Sequence, residues 1–300
     1  MKKFITLTPL KKIITLKKLI QVCAIFFSAV FADAMDLPSA EAKLIENFGS
    51  NAAGEPLLGD VWAVEGPVFA SDDGELIFRR NTEDDASGVP STLGTWLVID
   101  HADGILSIYG RMQEDSRPLQ NNIEKADVIG FAGNSGWSKK EGFNFTIFDR
   151  KERRWVNPSL VIKPASDSRP PSVQYVALRN ADGREVDLSI NRSIRQGRWK
   201  IIVQAVDTQI AYSDNLAPAK IISSVNGSEA GSIAFETFSS RDGVLMMYRN
   251  GLVPVSQIYG PHPAVEAGEA WFNRGLAQLE IIVEDIVGNA RRLQYRIFVE

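Results

Sequence analysis

Histidine is nearly absent: the 300 residues hold two, His101 and His262. Two imidazoles so far apart in the chain are too few for a multi-histidine metal site. Cysteine is scarcer still, with Cys23 alone. That excludes an internal disulfide, a thiolate metal cluster and, once Cys23 is removed, a cysteine nucleophile. Gln21-Val22 precede Cys23, where a lipid-modified cysteine would follow small residues. No Walker-type or dinucleotide glycine motif occurs. Gly130 to Gly136 is glycine-rich but has no helix pattern after it, so it is not a phosphate cradle. Glu83-Asp84-Asp85 lacks the ligand spacing of a calcium loop. Tandem repeats and low-complexity tracts are missing too.

Long apolar runs are also lacking, save one near the start. Six lysines, at positions 2, 3, 11, 12, 17 and 18, precede an apolar run from Leu19 to Ala32 that ends in Ala32-Asp33-Ala34. The run is short of the roughly 20 residues a membrane span needs. A basic start, a short apolar run and an A-x-A site read as a secretory signal peptide over 1–34, the alternative being an uncleaved anchor. Its removal takes six lysines and one aspartate, leaving 27 basic and 36 acidic residues, a net charge of −9. That balance argues against nucleic acid as a partner. It implies export to the periplasm or cell envelope, with the protein peripheral to a membrane at most.

What is present is β pattern. Thr95 to Asp100, Ile105 to Tyr109, Val128 to Ala132 and Phe143 to Phe148 are short runs rich in β-formers, closed by Asp103-Gly104, Gly110 and Gly133-Asn134. Strands of this length between Gly, Asn and Asp turns predict antiparallel β structure. Residues 35–54 read as an extended lead-in arm, with Ala40 to Phe48 able to form a helical turn. Residues 163–171 (KPASDSRPP) are a polar, proline-rich linker. Beyond it, Trp199, Ile201, Val203 and Ala205 alternate with polar residues, as do Leu279, Ile281 and Val283, and Leu293, Tyr295, Ile297 and Val299. Period-two alternation predicts strands with one buried face, and the turn Asp285 to Asn289 separates two of them. The expected class is therefore all-β: an antiparallel domain over 55–162, then a β-sandwich over 172–300.

The glycine skeleton of 50–162 resembles the lysostaphin/LytM-type peptidoglycan metalloendopeptidases, the duplicated-hybrid-motif family. Val98-Ile99-Asp100-His101-Ala102-Asp103-Gly104 and Tyr109-Gly110-Arg111-Met112 resemble its V-I-x-H-x-x-G and Y-x-H-L blocks. Ala126 to Ser138 resembles G-x-x-I-G-x-x-G-x-T-G-x-S, and Gly142 to Ile147 falls on H-L-H-F-E-I. Val156-Asn157-Pro158 closes the match. The motifs Val203 to Asp207 and Ile281 to Asn289 resemble the immunoglobulin-like module appended to some such peptidases.

The resemblance implies two histidines and one aspartate as zinc ligands, with two further histidines in catalysis. Here the aspartate falls on Asp60 after a one-residue gap, and its partner histidine falls on Pro56. The Y-x-H-L histidine is Arg111, which cannot act as a general base. The final H-x-H is Gly142-Phe143-Asn144. One carboxylate does not hold zinc, so no catalytic residue, metal ligand set or cofactor is assigned. Asp60, Arg111, Asn144, His101 and Tyr109 are expected to line a vestigial groove, with Arg111 pairing to Asp60. His101 alone reads as a strand-end residue bonded to backbone, and no activating signature surrounds Ser107 or Ser135. The resemblance thus implies an inactive, metal-free relative that binds peptidoglycan or regulates a wall hydrolase. The alternatives are an active zinc endopeptidase, or a structural or adhesive two-domain envelope protein.

Overall fold

The strand Gly142–Asp149 (GFNFTIFD) is buried along nearly its whole length. Phe143, Phe145 and Ile147 are at most 1% exposed and point to one side, as the period of two requires. Its apolar neighbours set the register. Phe145 faces Tyr109 and Ile147 faces Ser107 on the antiparallel strand Ile105–Met112. Leu97 and Ile99 of Thr95–Asp100 continue the same rows. Gly74–Arg80 and Asn122–Ile123 complete this flank.

The other edge of Gly142–Asp149 is divided. Its first half pairs with Asp60–Ala63, and its second half with Arg154–Val156. The lead-in arm adds to the first: Lys43–Glu46 pairs antiparallel to Asp60–Ala63. The arm is therefore a strand there, and no helical turn forms, because its alternating Leu44 (3% exposed) has an edge to join. A separate two-stranded pair, Pro67–Phe69 with Val128–Phe131, closes this core with Val68 and Ile129. This is a computed structural model, and it describes residues 34–52, 54–81, 88–114, 119–137, 140–163, 166–208, 216–260 and 263–300. The expected leader with Cys23, the 83–85 acidic loop and His262 lie outside the described residues. Among the described residues no helix is long and apolar enough to cross a membrane.

In the second half, one sheet holds Glu185–Asp187, Ser172–Asn180, Gly197–Val206 and Val265–Phe272. The other holds Ser193–Ile194, Ala290–Val299, Gly275–Glu284, Lys220–Val225 and Ser228–Ala234. The alternating residues expected to face inward do so: Trp199, Ile201 and Val203 share a core with Leu279, Ile281, Val283 and Ile297. The DIVGN turn closes on Asp285, whose carboxylate accepts the N–H groups of Val287 and Asn289.

The halves are not separated at the expected linker. Arg154–Val156 pairs with Thr237–Arg241, so Thr237–Arg241, Val244–Tyr248 and Leu252–Pro254 extend the first sheet to eleven strands. Phe48, from the arm, belongs to the second core and stacks on Phe238 at 4.9 Å. The physical reason is that Arg154–Val156 leaves an unpaired edge, which a β-sheet fills with any strand of matching register. Residues 34–300 accordingly form one compact unit.

Phe238 is fully buried at this junction. Phe238→Ala should destabilise the protein by about 3–5 kcal/mol. Urea unfolding followed by fluorescence and circular dichroism would check it, and a loss under about 1 kcal/mol would mean that the junction carries no packing energy.

Candidate functional site: a groove without its metal ligands

Asp60 starts the strand Asp60–Ala63 beside Phe145 and is 1% exposed. Its Oδ1 accepts the backbone N–H of Phe48 at 2.9 Å. That bond fastens the lead-in arm to the sheet. Burial pushes the carboxyl up to about 7, against the opposing pull of the Phe48 N–H.

Asn144 is 7% exposed, and its amide is committed at both ends. Nδ2 donates to the Asp60 carbonyl at 3.1 Å, and Oδ1 accepts the Thr146 hydroxyl at 3.1 Å. Asp60 and Asn144 are thus brought together, through backbone rather than side chain to side chain.

Arg111 stands apart from both. Between the pairs Leu97↔Tyr109 and Thr95↔Met112 the strand Ile105–Met112 carries one residue more than its partner. This is a β-bulge at Gly110-Arg111, and it re-aims the side chain. Arg111 sits there with φ 64°, a left-handed conformation that costs a non-glycine residue about 1–2 kcal/mol. Its backbone N–H donates to the Leu93 carbonyl. No ion pair joins Arg111 to Asp60, so that expectation is corrected. Asp60 is held by the Phe48 N–H, and the bulge turns Arg111 elsewhere. The charge that Arg111 feels is that of Glu46, on the arm, while partial burial pulls its guanidinium below the ordinary arginine range.

His101 and Tyr109, expected in the groove, belong to the core side of the sheet. Tyr109 is fully buried, its ring 5.2 Å from Phe145, and its hydroxyl accepts the Ser71 N–H and donates to Ser71 Oγ. His101 is 7% exposed, with Nδ1 2.7 Å from the Asp73 carbonyl and Nε2 2.6 Å from Ser107 Oγ. A carbonyl only accepts, so Nδ1 carries the proton and, in the neutral ring, Nε2 accepts from Ser107. The expected bond to backbone is present. Ser107 is fully buried, so this serine–histidine contact is a packed polar network with no route for a substrate. Sequence reasoning missed Phe48 and Glu46, which lie in an arm with no motif, and the bulge, whose sole trace is Gly110.

The zinc of the resembled family does not fit these residues. Asp60 is spoken for by the arm, Asn144 by its own hydrogen bonds, and position 111 presents a cation. Position 142 is the most restrictive. A Cβ there would lie 1.9 Å from the Trp62 carbonyl oxygen, so no histidine stands at this point without a backbone shift. The glycine skeleton nevertheless persists. Gly136, at φ 66°, packs so tightly on the 92–94 segment that a Cβ would come within 2.4 Å of the Gly94 nitrogen.

With this geometry, the chain can be set beside known proteins. Residues 60–158 match peptidase family M23. A second family model, which carries no description, matches residues 170–300. The cell division protein DipM of Caulobacter vibrioides is 26% identical over 127 residues, covering 40% of this chain. The chain spans 19% of the length of that curated relative. Among solved structures, the catalytic domain of the prophage-encoded M23 protein EnpA from Enterococcus faecalis is 19% identical, with a TM-score of 0.36. That match covers 42% of this chain and 95% of the other. A chain of the SpoIIQ–SpoIIIAH pore-forming complex is 17% identical, with a TM-score of 0.36, covering 45% of this chain and 99% of that one. The M23-like part is β-built and helix-free apart from 3-10 turns. Among the described residues, the group close enough to share a metal is Asp167, Asp207 and Asp285, outside the M23 match and without a histidine.

Asp60 generates a pH prediction. Its folded value of about 7 lies above the ordinary 3.8. The protonated form therefore favours the fold, and that stability is lost as pH rises from about 4 through about 7. Asp60→Asn, which keeps an acceptor for the Phe48 N–H, should be more stable than the parent by roughly 2–4 kcal/mol at pH 8. The two should converge near pH 4. Urea unfolding across this range tests it, and parallel stability curves would refute the burial of the charge.

Proposed function

We propose that this protein is an exported, non-hydrolytic relative of the M23 peptidases that acts at the cell envelope, binding peptidoglycan or regulating a wall hydrolase. One observation carries the reading: an M23-like scaffold whose histidine positions hold Pro56, Arg111, Gly142 and Asn144, with Trp62 backbone pressed against position 142. Mutation of a zinc site usually deletes ligands. Here the backbone has closed over one histidine position, and a permanent cation stands where a general base would be needed. A kept fold with lost chemistry is suited to recognition rather than turnover.

The 1–34 leader, removed on export, supplies the envelope location in this reading. The two sheets of 172–300 are read as an immunoglobulin-like module that presents the M23-like part. The printed description of DipM as a cell division protein supports a place in wall remodelling. The SpoIIQ–SpoIIIAH complex supports a protein partner as the object of regulation.

Purified protein should sediment with isolated peptidoglycan sacculi and should release no muropeptides from them, with or without added zinc. Elemental analysis should find far less than one zinc per chain. Chelator-sensitive release of muropeptides would overturn the reading in favour of an endopeptidase. Failure to bind sacculi or to alter the rate of a co-incubated wall amidase would favour a purely structural role.

A further inference from the structure

We propose that Arg111 is the anion-binding residue of the groove and that it takes a peptide carboxylate. The inference rests on the reading above for the source of that carboxylate, and on the geometry of Arg111 for the chemistry.

The guanidinium is partly buried, and among the described residues it has no hydrogen-bonded or ion-paired partner; its Nε is shielded from solvent with no acceptor. A shielded donor with no acceptor is rare in folded proteins and calls for an explanation. The bulge at Gly110-Arg111 aims the side chain, and a left-handed backbone that glycine would adopt more readily is retained in an arginine.

The groups that could have neutralised it are turned away. Asp60 is drawn to the Phe48 N–H. The Asn144 carbonyl oxygen accepts from Thr146. Glu46 faces the guanidinium from the arm, but beyond ion-pair distance, and is itself exposed. What remains is a half-buried planar cation with open donors. That fork matches a carboxylate, which can accept two parallel N–H bonds. Glu46 also selects the charge of the guest, because its field opposes a dianion such as phosphate more than a monoanion.

The test uses the full chain and two probes, N-acetyl-alanyl-alanine, whose single charge is its terminal carboxylate, and the C-terminal amide of the same dipeptide. The Nε–H resonance of Arg111 is followed by NMR and assigned by its absence in Arg111→Lys. The acid should shift that resonance saturably, and the amide should not. Arg111→Gln should weaken binding of the acid at least about tenfold, as expected for loss of a charge-assisted contact. Arg111→Lys should fall between, because it keeps the charge without the fork. Glu46→Gln should tighten binding. Cooperative melts of all variants establish that they fold. Equal binding of acid and amide, no shift at Arg111, or unchanged affinity in Arg111→Gln would overturn the assignment. Sacculus binding is measured beside it. Retention on sacculi without a response to the dipeptide sinks this inference alone. A dipeptide response without retention on sacculi sinks the proposed function and leaves the carboxylate site standing.

Discussion

Everything in this molecule depends on how the two edges of Gly142–Asp149 are filled. A β-strand offers two rows of backbone donors and acceptors, and an unfilled row is a liability. One row is filled by Ile105–Met112 from Asn144 to Asp149, with Gly142 bridging Gly133. The other is shared, with Asp60–Ala63 taking the first half and Arg154–Val156 the second. Each sharer then exposes a new edge. The arm strand Lys43–Glu46 fills one, and Thr237–Arg241 from the far half of the chain fills the other. The split therefore decides which parts of the sequence can be neighbours, and it brings Phe48 and Phe238 into ring contact.

The same arrangement explains why the motif positions offer no metal site. The arm brings a backbone N–H to Asp60, and once the carboxylate is so engaged it is no longer a free ligand. The close approach of Gly142 to the Trp62 carbonyl follows from the pairing of their two strands. A side chain at 142 and tight pairing of those strands are mutually exclusive in this backbone. Asn144, between them, spends its amide on the Asp60 carbonyl and Thr146. Asp60 and Asn144 are thus committed to backbone and to near neighbours, and Arg111 is left out of these bonds.

Much of the first sheet was legible in the sequence. Thr95–Asp100 and Gly142–Asp149 lie where runs of β-formers between glycine turns put them, because local composition and burial agree there. Trp199, Ile201 and Val203 were legible for the same reason. The hairpin of Val244–Tyr248 and Leu252–Pro254 was not, since Val244, Tyr248 and Leu252 are exposed and leave no alternation to read. Nor was its joining of the first sheet, because a backbone ladder between residues some eighty positions apart leaves no mark on side-chain pattern. At the site, the substitutions at 111, 142 and 144 were visible against the motif. The Arg111–Asp60 pair failed because it assumed a regular strand, and a bulge of one residue is enough to turn a side chain away. His101 and Tyr109 were placed in the groove by their motif, but the alternation of Ile105–Met112 sends Tyr109 inward, and the Asp73 carbonyl holds His101 at the core edge.

The ladder between Arg154–Val156 and Thr237–Arg241 also has a mechanical meaning. Two modules joined by a proline-rich connector alone would swivel, and tension on one would straighten the connector before reaching the other. Here the pairs Arg154↔Ser239, Trp155↔Phe238 and Val156↔Thr237 bypass the connector. A pull on the far half is passed by interstrand backbone hydrogen bonds through Arg154–Val156 into Gly142–Asp149, the strand that also carries Asn144. A relative displacement of the two halves would therefore be resisted by a backbone ladder, and the strain would fall on the sheet that holds Asp60 and Asn144 rather than on the connector.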